Sequence, residues 1–268
     1  MEAVARHWPE YAMEAAGLGL FMVSAAVCTT MIEHPAFPVR TAIESDGLRR
    51  LLIGVAMGLT AIAIIYSPWG KRSGAHLNPA VTLTFWSLGK VAGADAIGYV
   101  AAQFLGGTLG LLAAATVLPA YVGDPSVNYV VTVPGARGPG VAFLAEIVIS
   151  FGLMLMVLTV SNRKPIARYT GLLAGGLVAS YITLEAPLSG MSMNPARTFA
   201  SALPAWLWSH LWIYFLAPPI GMLLAAQTYL LTQGSGRVLC AKLHHDNPSR
   251  CIFRCRFDEK SEQFSVVS

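Results

Sequence analysis

The chain has 268 residues, 55% of them hydrophobic and 12% charged, with a net charge of +4. That is about half the charge content of an ordinary soluble domain, which excludes a fold facing water on all sides and makes lipid the natural solvent. The positive excess follows from membrane topology and carries no indication of nucleic-acid binding.

The apolar residues gather into stretches that match a hydrocarbon core of about 30 Å, which takes roughly 20 helical residues to cross. Six such spans are expected, at 11–32, 48–66, 94–118, 141–160, 167–184 and 209–232. The first has a mixed head (Arg6, His7, Glu10), holds Glu14 and ends in Cys28-Thr29-Thr30 without a clear cleavage site, so it reads as a retained helix and not a signal peptide. Short segments rich in Lys and Arg resist translocation. Lys71, Arg72, Lys90, Arg163, Lys164, Arg168 and the tail residues Arg237, Lys242, Arg250, Arg254, Arg256 and Lys260 fall on one side, which is expected to be cytoplasmic and to hold both termini. The other side has Arg40, Arg49, Arg50 and Arg137 beside Glu33, Glu44, Asp46 and Asp124.

The chain divides into a short N-terminus (1–10), a first half (11–118), a connecting loop (119–140), a second half (141–232) and a C-terminal tail (233–268). The halves repeat one another. Each opens with a glutamate inside its first span, Glu14 and Glu146, and each places Asn-Pro-Ala after its second span, at Asn78-Pro79-Ala80 and Asn194-Pro195-Ala196. Three spans per half is an odd number, so the halves are inverted and the two loops enter from opposite sides and point at each other. The apolar segments that follow, 81–88 and 197–203, are too short to span and read as re-entrant half-helices, tolerated where they line a cavity. Gly54, Gly58, Gly106, Gly107, Gly110, Gly171, Gly175 and Gly176 suit close packing of membrane helices. The expected fold is an all-α membrane protein of six transmembrane helices and two half-helices in two inverted repeats.

Asn is a strong N-cap and Pro is favoured at the first helical position, so each triplet starts a helix. Two half-helices abutting at their N-termini each direct about half a positive charge at one point, which repels cations and protons. Each asparagine can keep its amide NH₂ free to donate into the cavity. Arg197 follows the second triplet directly, and a charged group at membrane depth is a functional candidate, with several fixed donors suited to binding water and rejecting cations. Glu14 and Glu146 could carry protons, but as acceptors for amides left unpaired by the re-entrant turns they are expected to support the loops.

Ser73-Gly74-Ala75-His76-Leu77-Asn78-Pro79-Ala80-Val81-Thr82-Leu83 and Ser189-Gly190-Met191-Ser192-Met193-Asn194-Pro195-Ala196-Arg197-Thr198 resemble the aquaporin, or major intrinsic protein, family over about residues 10–232. The resemblance implies a homotetramer with one pore per subunit and the aquaporin type of selectivity, set by pore width, lining donors and the positive ends of half-helices. Thr198, Ala202, Tyr214 and Phe215 are similar to the water-channel type and unlike the glycerol type. The family's four-residue outer filter maps onto Met57, Ile182, Met191 and Arg197, with Gly58 or Val55 as alternatives to Met57 because the loop 67–72 carries one extra residue. Strict water channels usually have histidine where Ile182 stands and an aromatic where Met57 stands. Their loss removes polar and bulky determinants and leaves a more adaptable opening. His76 resembles a position that lines the cytoplasmic side of the pore.

The tail holds His244, His245, Cys251 and Cys255, whose spacing matches no familiar zinc site, so no metal or cofactor is expected and the basic tail is expected to lie along anionic lipid. With Cys28 in a span and Cys240, Cys251 and Cys255 in the tail, no disulfide framework is expected. The expected function is a passive channel for water, with ammonia, urea, hydrogen peroxide or glycerol as further small neutral solutes, in a plasma or bacterial inner membrane. An ion-coupled secondary transporter and a structural membrane protein with a closed pore are the alternatives, and no motif suggests an enzyme.

Overall fold

The computed structural model describes residues 2–245 and 247–257, with side chains from residue 5 onward; Lys260 of the basic tail lies outside the described residues. All regular structure among the described residues is helical: α1 (Glu2–Glu33), α2 (Pro38–Ala42), α3 (Asp46–Tyr66), α4 (Pro68–Ser73), α5 (Pro79–Ser87), α6 (Gly93–Val117), α7 (Pro119–Val122), α8 (Pro139–Ser161), α9 (Thr170–Leu184), α10 (Ala186–Ser189), α11 (Pro195–Ala205) and α12 (Leu211–Gln233), with three short 3₁₀ turns. Helices α1, α3, α6, α8 and α12 are long and apolar enough to cross a membrane. The remaining expected span, 167–184, is α9, which has 15 residues, about 22 Å of helix. It is shorter than expected because residues Ala167–Tyr169 form a 3₁₀ turn before it. Helix α1 starts well before residue 11 because its polar head has partners: Tyr11 donates to Asp95 at 2.6 Å, His7 lies 2.7 Å from the same carboxylate, and Arg72 donates to Glu10 at 2.9 Å.

The inverted repeat appears as three helix pairs: α1 packs on α6, α8 on α12, and α3 on α9 across the two halves. Missing side chains permit the close approach. A Cβ at Gly106 would lie 2.1 Å from the Ala15 carbonyl oxygen, and one at Gly58 would lie 2.5 Å from that of Gly175. Gly176 differs from these glycines, since a Cβ there would meet nothing within 4 Å. Large apolar side chains such as Leu105, Leu144 and Val148 point outward, as lipid-facing helix surfaces require.

Helices α5 and α11 both pack against α6 and α12 in the interior, and they also touch each other. Their 9 and 11 residues correspond to about 14 and 16 Å, so only the two placed end to end match a hydrocarbon core.

Candidate functional site

Each half-helix is reached through a tightly wound loop. Gly74 (φ 97°) and Gly190 (φ 81°) end the short helices α4 and α10 in the left-handed region, and Ala75, Leu77, Met191 and Met193 follow with φ between 52° and 55°. Such backbone costs of order 1–3 kcal/mol per non-glycine residue and persists only where its surroundings hold it. Two buried carboxylates do so. Glu14 accepts from Ser73 Oγ (2.8 Å), the backbone N–H groups of His76 (3.0 Å) and Leu77 (2.6 Å), and Gln103 Nε2 (2.8 Å). Glu146 accepts from Ser189 Oγ and the N–H groups of Ser192 and Met193, each at 2.7 Å. Tyr99 and Tyr214 donate to the carbonyls of Ser73 and Ser189, both at 2.5 Å, so the support repeats almost atom for atom.

Beyond the loops, each asparagine caps its helix. Asn78 Oδ1 accepts from Ala80 N at 2.8 Å, and Asn194 Oδ1 from Ala196 N and Arg197 N at 3.1 and 3.2 Å. Their amides are less free than the sequence suggests: Asn78 Nδ2 donates to the Met193 carbonyl at 2.7 Å, and Asn194 Nδ2 to the Leu77 carbonyl at 2.8 Å. The opposing loops approach closely enough to take one N–H of each amide, leaving the other for the cavity. Pro79, Ala80, Pro195 and Ala196 are buried in the helix starts behind these amides and do not line the cavity.

Both asparagines line one cavity of about 340 Å³. Met57, Ile182, Met191 and Arg197 line it as well, and His76 lines it on the side of the first loop. Of the alternatives to Met57, Val55 is exposed on the outer surface and Gly58 packs against α9. The Arg197 guanidinium donates to Thr132 Oγ1 in the connecting loop. Sequence reasoning missed Thr132, for which no motif offers a signal, and also Arg50, a second arginine of the lining. Thr198, Ala202, Tyr214 and Phe215, which resemble the water type, do not line the cavity. Thr198 meets Ser192 Oγ at 2.5 Å and Tyr214 holds the loop, so these two shape the cavity indirectly.

The tail departs from expectation. Instead of lying along lipid, it folds beneath the helices and buries Val238, Leu239, Cys240, Ala241, Lys242 and Leu243. An apolar run with backbone partners drives this: Leu239 N donates to Asn162 Oδ1 (2.6 Å), Leu243 N to Gly74 O (3.1 Å) and Arg254 N to Lys90 O (2.9 Å). The Ala241 carbonyl lies 2.9 Å from His76 Nε2, Phe253 stacks on the His76 ring at 5.2 Å, and Leu243 joins the cavity lining. The fold also gathers Cys240, His245, Cys251 and Cys255, a set that includes Cys240 and leaves out His244. Hydrogen bonds from Cys240 and Cys251 hold the Cys255 thiol well below its ordinary range.

The model of the family described as major intrinsic protein matches residues 6–229. The chain is 40% identical over 225 residues to a probable aquaporin AqpM of Archaeoglobus fulgidus, covering 79% of this chain and 90% of that one. It is 33% identical over 258 residues to aquaporin NIP3-1 of Arabidopsis thaliana, covering 93% and 76% respectively. Among solved structures, the aquaglyceroporin from Plasmodium falciparum shares the fold with a TM-score of 0.69 at 19% identity, over 83% of this chain and 95% of that one. With most of its length matched, the chain belongs to the major intrinsic protein family and is a passive channel for water or small solutes, not an enzyme.

Proposed function

We propose that the main permeant is water, that small neutral solutes such as ammonia, urea, hydrogen peroxide and glycerol also pass, and that protons and ions are excluded. The observation that carries this reading is the meeting of Asn78 and Asn194 in one cavity at the N-termini of α5 and α11. Two positive helix ends and two amide donors at one point suit a neutral hydrogen-bonding solute and oppose a cation. Met57, Ile182, Met191 and Arg197 form the filter in this reading. Three of the four are apolar and flexible or branched, which favours a passage that admits solutes larger than water.

A coupled transporter needs a carboxylate with spare coordination. Glu14 and Glu146 already accept four and three hydrogen bonds from the loops and their neighbours, which favours a structural role. The distribution of Lys and Arg supports cytoplasmic termini in a plasma or bacterial inner membrane. The outward apolar surface of α9 and the unfilled space at Gly176 suit contact with another subunit, in keeping with a homotetramer.

Stopped-flow light scattering of proteoliposomes tests the proposal. Osmotic shrinkage faster than in empty vesicles, with a lower activation energy and no accompanying proton flux, is expected. Water permeability equal to that of empty vesicles, both with and without a metal chelator, would overturn it.

A further inference from the structure

Three of the chain's four cysteines meet one histidine in the tail. Cys240, His245, Cys251 and Cys255 place their donor atoms within 4.8 Å of one another. Cys240 Sγ and Cys251 Sγ lie 3.6 Å apart, and Cys255 Sγ lies 2.9 Å from His245 Nε2. Tetrahedral zinc bound by thiolates at about 2.3 Å and imidazole at about 2.0 Å separates two sulfurs by about 3.8 Å and sulfur from nitrogen by about 3.5 Å. These two separations lie within about 0.6 Å of zinc geometry, and donors spread up to 4.8 Å apart reach it by closing about 1 Å.

We propose that Cys240, His245, Cys251 and Cys255 bind one zinc ion, which fastens the tail across the His76 end of the pore so that metal occupancy controls its opening.

Three thiolates and an imidazole are soft donors that select zinc over magnesium or calcium. Lys242, buried beside the cluster, offsets the negative charge such a centre carries. The described residues among 238–257 include no helix or strand, so their shape rests on burial and on isolated hydrogen bonds such as those of Leu239, Leu243 and Arg254. A metal cross-link supplies what a segment of this kind lacks.

The ligands alternate along the chain with the residues that touch the pore. Ala241 follows Cys240 and meets His76; Leu243 lies two residues before His245 and lines the cavity; Phe253 lies between Cys251 and Cys255 and stacks on His76. Fixing the four ligands thus fixes the three pore contacts between them. Releasing the metal frees the tail to move away from His76.

The control of flux rests on the channel reading above, whereas the metal site does not, and the two are read separately. Full-length protein in detergent, stripped with a chelator, is titrated with Co²⁺. Visible d–d bands and thiolate charge-transfer absorption saturating at one metal per chain are expected, displaced by Zn²⁺ and lost in Cys251→Ser and Cys255→Ser but kept in Cys28→Ser. Should a serine variant fail to elute as folded protein, His245→Asn takes its place. No tetrahedral cobalt spectrum in folded wild-type protein, or an unchanged one in the variants, would overturn the site. In proteoliposomes, zinc removal is expected to raise water flux several-fold and zinc addition to reverse it, with Cys251→Ser insensitive to both. A normal cobalt spectrum with flux indifferent to zinc would overturn the control of opening. Absence of flux in every state would overturn the channel reading, leaving the spectrum to decide the site.

Discussion

Asn78 donates its side-chain amide to the carbonyl of Met193 at 2.7 Å, so the cap of one half-helix also grips the loop that leads into the other. The reciprocal bond from Asn194 to Leu77 makes the two re-entrant loops one unit. Asn78→Ala removes a helix cap, worth about 1 kcal/mol, and a cross-loop hydrogen bond of similar size. A loss of about 2 kcal/mol in stability is expected, read as a lower midpoint when the detergent-solubilised protein is heated. An unchanged midpoint would show that the cross-loop bond contributes nothing.

Glu146→Gln keeps one acceptor oxygen but turns the other position into a donor facing the Met193 or Ser192 N–H. A buried N–H left without a partner costs about 1–3 kcal/mol. Thermal stability is therefore expected to fall, while any flux that survives stays independent of a proton gradient. Gradient-dependent flux in the wild type that vanishes in Glu146→Gln would instead reveal a proton carrier.

The fold is legible in the sequence because its signals are local and repeated. Asn-Pro-Ala marks the starts of α5 and α11, which begin at Pro79 and Pro195 as capping chemistry requires. The left-handed turns at Ala75, Leu77, Met191 and Met193 are not legible, because these side chains do not favour such backbone and the groups that hold it, Glu14 and Glu146 foremost, are distant in sequence. The course of the tail is hidden for a related reason. Its basic residues point to lipid, but Lys242 is buried and donates to the Ser249 carbonyl, and the contact that seats the tail on His76 joins residues 165 positions apart. Spacing alone does not show that Cys240 joins His245, Cys251 and Cys255.

Ile182→His tests the width of the passage. An imidazole there adds a donor and an acceptor to a lining to which Met57 and Met191 contribute apolar side chains. Glycerol permeability is expected to fall several-fold relative to water when both are measured in the same proteoliposomes. An unchanged ratio would mean that Ile182 does not limit what passes.

Gly74→Ala tests the seat of the tail without touching a cysteine. Its Cβ would lie 2.7 Å from the Phe253 ring, and its backbone sits at φ 97°, which alanine rarely adopts. Displacement of Phe253 from His76 is expected, with higher water flux at saturating zinc than in the wild type. A companion Phe253→Ala, which leaves the loop backbone untouched, should have the same effect. If both variants fold and conduct as the wild type does, the Phe253 contact does not restrict the pore.

Arg197→Ala removes the guanidinium that lines the cavity and donates to Thr132, but it leaves two other sources of positive potential: the ends of α5 and α11, and Arg50. The variant should therefore widen the passage more than it weakens the barrier to cations. Urea and glycerol permeability is expected to rise several-fold, with only a small proton leak. Arg50→Ala in the same background then removes the second lining arginine and is expected to increase the leak further. A large proton leak in Arg197→Ala alone would instead place the cation barrier at Arg197, with the helix ends contributing little.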